Sequence, residues 1–214
     1  MLKVENIIVP SGSQWEAVVR GCRNPYDSWD KSDSKWEYTG PVSIFNIGEA
    51  DHALMMKLAN AGDDHGKFMR MLPVYVDITA PLYFFKQFET YKVGTVTNSC
   101  STMHTITNRP FTKEDFSIDD QNLLDAVVTD LNDIRIDYLQ ETDPFVKKQL
   151  WKTIIQFLPS GYNQLRTWYG NYQVLKHMYH ARKGHKLSEW EDFRKVIRML
   201  PYSELITGEE LCKA

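Results

Sequence analysis

Between Phe68 and Phe88 the chain changes its hydrophobic period. The run "FMRMLPVYVDITAP" reads as a strand, because Val74, Val76 and Ile78 alternate with Tyr75, Asp77 and Thr79. Pro81 stops that pattern, and Leu82, Phe85 and Phe88 then recur at helical spacing. A strand that passes into a helix at a proline constrains whatever follows it. Here the next stretch is polar: "TYKVGTVTNSCSTMH", residues 90–104, gathers Lys92, Asn98, Ser99, Ser101 and His104. Short hydroxyl and amide side chains after a helix can simply satisfy local backbone groups in a turn. Hydroxyls, an amide and a lysine also make up a donor set suited to a phosphate. Neither G-x-x-x-x-G-K-[ST] nor G-x-G-x-x-G occurs, so neither the P-loop nor the Rossmann solution is in use.

One α/β or α+β domain is the default for such a chain, and the flanking segments supply its strands and helices. "LKVENIIVP" is alternating and β-branched and reads as a strand, broken by Pro10, Ser11, Gly12 and Ser13. "QWEAVVRG" predicts a short helix ending at its glycine. The Asp-, Ser- and Pro-rich run from Arg23 to Gly40 reads as a surface loop anchored by Trp29 and Trp36. "IGEADHALMMKLANAG" sets Leu54, Met55 and Leu58 on one helix face and stops at Gly62. "RPFTKEDFS" is a loop with helix-start signals, and Leu123, Leu124, Val127, Val128, Leu131, Ile134 and Leu139 then define a helix. Asp143 is placed to cap a second helix, "PFVKKQLWKTIIQFLP". "NQLRTWYGNYQVLKHMYHARKG" and "SEWEDFRKVIRMLP" are expected to complete a helical C-terminal half. No internal repeat or low-complexity tract divides the chain, so residues 1–214 are expected to form a single domain.

With 43% hydrophobic and 13% aromatic residues, 214 residues can bury a full core. A formal net charge of -3 argues against nucleic-acid or acidic-membrane binding as the main task. Cys22, Cys100 and Cys212 are widely spaced and form no C-x-x-C, which suggests neither a disulfide framework nor a zinc ribbon. No apolar run is long enough to span a bilayer, and the N-terminus shows no basic segment followed by a long apolar one. The expectation is a cytoplasmic protein.

The order of features resembles the flavin-dependent thymidylate synthases. Their signature, R-H-R-x-x-S-x-N-E-x-S-x-R-Y, follows a strand ending in A-P and a helix containing R-Q-W. Here Ala80 and Pro81 match A-P, and Lys86, Gln87 and Phe88 stand where R-Q-W would. With one residue inserted near Val96, Lys92 falls on the third signature position, Thr95 on the first serine, Asn98 on the asparagine and Ser101 on the second serine. His65 stands before A-P at the distance of a family histidine that contacts the flavin. The family's C-terminal pattern, L-P-x-x-x-Y-T, then N-A-R-S-L-x-H-F-L-x-L-R, then Q-W-E-I-R, is matched by Leu158, Pro159, Asn171, Leu175, His177, Arg182, Trp190, Glu191 and Arg194.

That resemblance, which spans nearly the whole chain, implies an α+β fold with a central, mostly antiparallel sheet, flanking helices and a helical C-terminal half. It implies FAD held by His65, Lys92, Asn98, Asn171 and His177, with NADPH and methylenetetrahydrofolate as co-substrates. The substrate implied is a pyrimidine nucleotide, methylated at C5 as dUMP is, held by Ser101, His104 and Arg182. Arg182 would carry the catalytic role, through a fixed charge on the base. A homotetramer is implied as well, because the family's sites are assembled from several subunits.

The departures are specific. Thr90 and Tyr91 replace Arg and His, Ser99 replaces Glu, Met103 replaces the late Arg, and Ile155 stands where the family carries an arginine before L-P. A thioether cannot grip phosphate. Lys92, His104, Arg70 or Arg109 would have to compensate, or the nucleotide differs from dUMP. The alternative is a non-catalytic fold relative that binds a nucleotide or a partner protein. His177, His180 and His185 lack metal-site spacing and read as helix-surface histidines. Cys100 with His104 is a nucleophile pairing without an oxyanion-hole motif.

Overall fold

Two nine-residue strands, Pro73–Pro81 and Asn163–Asn171, each pass without a connecting loop into a helix, Leu82–Phe88 and Tyr172–Ala181 respectively. The computed structural model describes residues 2–208; Cys212 lies outside them. In chain order the elements are β1 (Lys3–Ile8), α1 (Gly12–Arg23), β2 (Lys35–Thr39), β3 (Val42–Asn46) and α2 (Glu49–Asn60). Next come β4 (Pro73–Pro81), α3 (Leu82–Phe88), β5 (Val96–Ser99), α4 (Thr102–Thr105), α5 (Gln121–Gln140) and α6 (Pro144–Phe157). β6 (Asn163–Asn171), α7 (Tyr172–Ala181), α8 (Ser188–Arg198) and α9 (Glu204–Thr207) follow. The class is α+β, as expected. One sheet has the strand order β1-β4-β6-β5, and β2 and β3 form a separate antiparallel hairpin.

Side-chain caps set several of the helix starts. Ser11 Oγ accepts from Gln14 N while Gln14 Oε1 accepts from Ser11 N at 2.8 Å, a reciprocal capping box that opens α1. Asp120 Oδ1 caps α5 through Leu123 N at 2.9 Å, and Asp143 Oδ1 caps α6 through Phe145 N at 2.8 Å and Val146 N at 3.1 Å. α1 does not end at Gly21; it runs on to Arg23 because Cys22 and Arg23 are both buried, and packing outweighs the glycine.

Internal packing divides the chain into two units. One contains Asp77–Thr90 and Thr97–Thr167. Its core is built on α5 and α6, where Leu124, Val127, Leu131 and Ile154 close over Ile106, Phe111 and Phe116. Phe84, Phe85 and Phe88 of α3 pack on one another with ring centroids 5.6 to 6.1 Å apart. The Arg166 guanidinium covers Phe85 at 4.0 Å and pairs with Glu89.

The second unit contains Val4–Val76, Tyr91–Val96 and the chain from Trp168 on. Trp15, Met55, Met69, Leu72, Trp168, Tyr172, Trp190 and Leu205 are buried in it. Each such large side chain removed from water contributes about 1.5–3 kcal/mol before entropy is counted. The Trp168 ring lies so close over Gly170 that a Cβ there would fall 2.0 Å from it, so only glycine fits. Arg23 and Asp51 form a sealed ion pair, in which Asp51 Oδ2 also accepts from Ser32 Oγ and Ser34 Oγ, each at 2.6 Å.

Three further segments differ from the sequence reading. "FMRM" belongs to a 3-10 turn, Gly66–Met71, so β4 begins only at Pro73. Residues 35–39, read as the end of the loop that closes at Gly40, form β2 and pair with β3 in a hairpin; Trp36 pairs with Phe45 across it, with ring centroids 5.4 Å apart. "NQLRTWYGN" is β6, not the start of a helix.

Candidate functional site

Asn171 closes β6 and opens α7, and its Oδ1 accepts from Val174 N at 3.1 Å as the helix N-cap. Its Nδ2 lies 3.7 Å from where a Cβ on Gly94 would stand, and Gly94 adopts φ +72, a conformation that glycine takes without strain. The loop carrying the exposed Lys92 therefore passes beside Asn171. In the second turn of α7, His177 is half-exposed, with Nε2 3.3 Å from Asp63 Oδ2. His65, which precedes the Gly66–Met71 turn, lines a cavity of about 320 Å³ together with Cys22, Tyr26, Leu58, Phe68 and Met71. Burial pushes the Cys22 thiol up to about 12, helped by the Asp51 carboxylate, so Cys22 forms an inert wall of that cavity.

Four of the five residues expected at a flavin thus lie in the second unit: His65, Lys92, Asn171 and His177. The sequence reading missed the residues that hold His177. Gln173, at the position of the arginine in N-A-R, is buried and touches both Asp63 and His177. The neighbouring His177 imidazole and Gln173 amide draw the Asp63 carboxyl below its ordinary value. Lys176 Nζ donates to the Ala59 carbonyl, and burial lowers its ammonium pKa.

Arg182 ends α7 and is not a solvated arginine. Its guanidinium lies 4.7 Å from the Trp190 ring and 5.2 Å from the Tyr91 ring, and those rings meet edge to face at 6.1 Å. Tyr91, in place of the family's histidine, is thus one wall of an aromatic clamp. Glu191 and Arg194, matched at the end of the chain, are structural here: Arg194 Nε donates to the Tyr179 carbonyl at 3.0 Å, and Arg194 pairs with Glu191.

Asn98, Ser101 and His104 lie in the first unit. Asn98 is on the exposed edge strand β5. Ser101 precedes the single turn α4, where its carbonyl accepts from Thr105 N at 3.1 Å while its hydroxyl makes no cap hydrogen bond. His104 is exposed on that turn. A cavity of about 250 Å³ opens beside them, lined by Cys100, Thr105, Arg109, Asp115 and Tyr162 among others. Arg109 is already bound by the Asp115 carboxylate through both terminal nitrogens, so it presents an ion pair rather than a spare positive charge. Cys100 Sγ has Thr105 Oγ1 as its neighbour at 3.8 Å rather than the His104 imidazole, which removes the nucleophile pairing. Ile155 packs against the apolar cluster of α5 and α6, and Met103 is half-exposed.

Among the described residues no group of three His, Cys, Asp or Glu side chains is arranged to hold a metal ion. His180 Nε2 meets the Ile206 carbonyl at 3.0 Å, and His185 Nδ1 accepts from Leu187 N at 3.1 Å. No described helix is long and apolar enough to cross a membrane.

No family model matches the sequence, and neither does any curated protein. Solved structures do match in fold. A thymidylate synthase X (ThyX) from Helicobacter pylori, solved with FAD and dUMP, superimposes with a TM-score of 0.69 at 15% identity, over 96% of this chain and 95% of that one. A second Helicobacter pylori ThyX complex gives 0.68 at 16% identity, over 95% of each chain. A UMP/dUMP methylase, PolB from Streptomyces cacaoi, solved with 5-Br dUMP, gives 0.50 at 14% identity, over 84% of this chain and 76% of that one. Over 95% or more of its length, the chain has the fold of these thymidylate synthase X structures.

Proposed function

We propose that the protein binds FAD and a pyrimidine nucleotide and transfers a one-carbon unit from methylenetetrahydrofolate to C5 of that nucleotide, with NADPH as reductant. The observation that carries this reading is the grouping of His65, Lys92, Asn171 and His177 in one unit, with His65 on a cavity of about 320 Å³, in a chain that shares its fold with a ThyX structure solved with FAD and dUMP. The donor set suits a flavin: an imidazole on an apolar-walled cavity, an amide Nδ2 beside a glycine loop, and a second imidazole held from behind. Bound FAD would supply the hydride chemistry. The chain's own residues would bind and orient, with His65, Lys92, Asn98, Asn171 and His177 toward the flavin and Ser101 and His104 toward the nucleotide phosphate. Arg182, fixed by Trp190 and Tyr91, would offer its N–H edge and positive charge to the pyrimidine. A homotetramer and a cytoplasmic location belong to the same reading.

A second reading, a non-catalytic relative that binds a nucleotide or a partner protein, is favoured by one observation. Met103, half-exposed, stands where the resemblance calls for a phosphate-gripping arginine, and Ile155, packed on an apolar cluster, stands where it calls for another arginine.

Absorption of the purified protein, identification of any released cofactor and thermal protection by dUMP, UMP and their 5-substituted forms separate the two. A flavin spectrum with nucleotide-dependent protection is the expected result. Colourless protein that takes up no added FAD overturns the enzyme reading.

A further inference from the structure

Gln173 is only 4% exposed, and its amide stands at the centre of a compact polar triangle. Its Nε2 lies 2.8 Å from Asp63 Oδ1 and 2.9 Å from His177 Nε2. Asp63 and His177 are farther from each other, with Nε2 at 3.3 Å from Oδ2 and 3.4 Å from Oδ1. Gln173 Oε1 is buried beside Gly66 without a hydrogen-bond partner. Turning the amide over would set Oε1 against the Asp63 carboxylate, acceptor against acceptor, so the buried side chain has only one workable orientation.

That orientation constrains the imidazole. The nitrogen that receives an amide N–H must carry a lone pair, and the ring proton then sits on the other nitrogen. The Gln173 contact is the shorter of the two at His177 Nε2, so it decides the tautomer. An unconstrained neutral imidazole prefers the opposite form, with the proton on Nε2. With Nε2 occupied from behind, Nδ1–H is left as the donor on a ring that is half-exposed.

We propose that Asp63 and Gln173 are positioning residues that lock His177 in the Nδ1–H tautomer, making it a directed hydrogen-bond donor to a carbonyl oxygen of a planar heterocyclic ligand. The identity of that ligand as a flavin rests on the function proposed above; the locking of the ring does not. The chain departs here from the N-A-R pattern: a neutral amide stands at the arginine's position, buried, and serves a histidine one turn further along α7. Asp63 anchors the amide, Gln173 orders the ring, and His177 meets the ligand.

The test uses the full-length protein with 15N-labelled histidine. Nitrogen shifts of the apoprotein near neutral pH should show His177 as Nδ1–H, reverting to the ordinary Nε2–H form in Gln173→Leu. Asp63→Asn, at an exposed position that does not threaten folding, should leave a mixture of the two. Titration with FAD should then show affinity falling about fivefold to tenfold in Gln173→Leu and less in Asp63→Asn, with unchanged circular dichroism. A parent protein already in the Nε2–H form overturns the locking. A locked ring with equal FAD affinity in all three proteins overturns the donor role toward this ligand. If the parent binds no flavin at all, the flavin assignment falls with the enzyme reading, and the apoprotein tautomer still decides the locking.

Discussion

Arg23 Nε donates to Asp51 Oδ1 at 2.7 Å, with side chains only 8% and 1% exposed. Burial alone would raise the Asp51 pKa, but hydrogen bonds from Ser32, Ser34 and Arg23 outweigh it and leave the carboxyl below its ordinary value. A depressed carboxyl pKa stabilises the fold above the unfolded-state value, about 3.9, and that stabilisation is lost as pH falls through the folded value. Asp51→Ala should cost about 3–5 kcal/mol at pH 7, because it strands a buried guanidinium. Urea midpoints for parent and variant should converge as the pH drops below about 4. A constant gap across that range would show that Asp51 is not titrating there.

His65→Ala and Asn171→Ala should both weaken FAD binding, for different reasons. His65 is exposed on its cavity, so its loss should leave the melting temperature nearly unchanged. Asn171 also caps α7, so its loss should cost about 0.5–2 kcal/mol of stability as well. Flavin titration and thermal melts on both variants separate the roles. Unchanged flavin affinity in both would remove these residues from the cofactor.

Ser101→Ala should weaken nucleotide binding by about 1–3 kcal/mol. Stability should stay within about 0.5 kcal/mol of the parent, because the hydroxyl makes no cap bond to α4. Calorimetric titration with dUMP checks it, and equal affinity would move the phosphate elsewhere.

Arg182→Ala should slow turnover by about 100-fold or more while flavin remains bound. It should also cost about 0.5–2 kcal/mol of stability, since the guanidinium leaves both Trp190 and Tyr91. Arg182→Lys should restore charge but not the planar fork, and rescue only in part. Nucleotide affinity and flavin oxidation rate, measured in all three proteins, decide it. Equal values would reduce Arg182 to a packing residue.

Light scattering at micromolar concentration should give the mass of a homotetramer. Tyr38, Ile44, Phe145 and Met199 are large apolar side chains left exposed on the single chain, as contact surfaces require. A persistent monomer would contradict sites shared between subunits.

Strand β4 was legible because its inward positions, Val74, Val76 and Ile78, are all apolar. Strand β6 was not, for a physical reason. Its inward side carries Gln164, Trp168 and Gly170, while Leu165 points outward and is 46% exposed, so hydrophobicity does not trace the period of two. In the hairpin, Trp36 and Phe45 face each other, but the Asp- and Ser-rich approach hides the pairing, and Gly40 with Pro41 was the turn signal available. At the candidate site, the matched motifs pointed to His65, Asn171 and His177, which the fold carries in one unit. Nothing in the sequence tied Asp63 to Gln173, which are separated by 110 residues and meet only through the fold.

The closeness of Trp168 to Gly170 has an inverted consequence for anyone altering this protein. A single methyl group at position 170 would displace an indole that stands among Ile7, Val74, Leu175 and Phe193. The smallest enlargement the genetic code allows there would act on the interior as the removal of its bulkiest side chain.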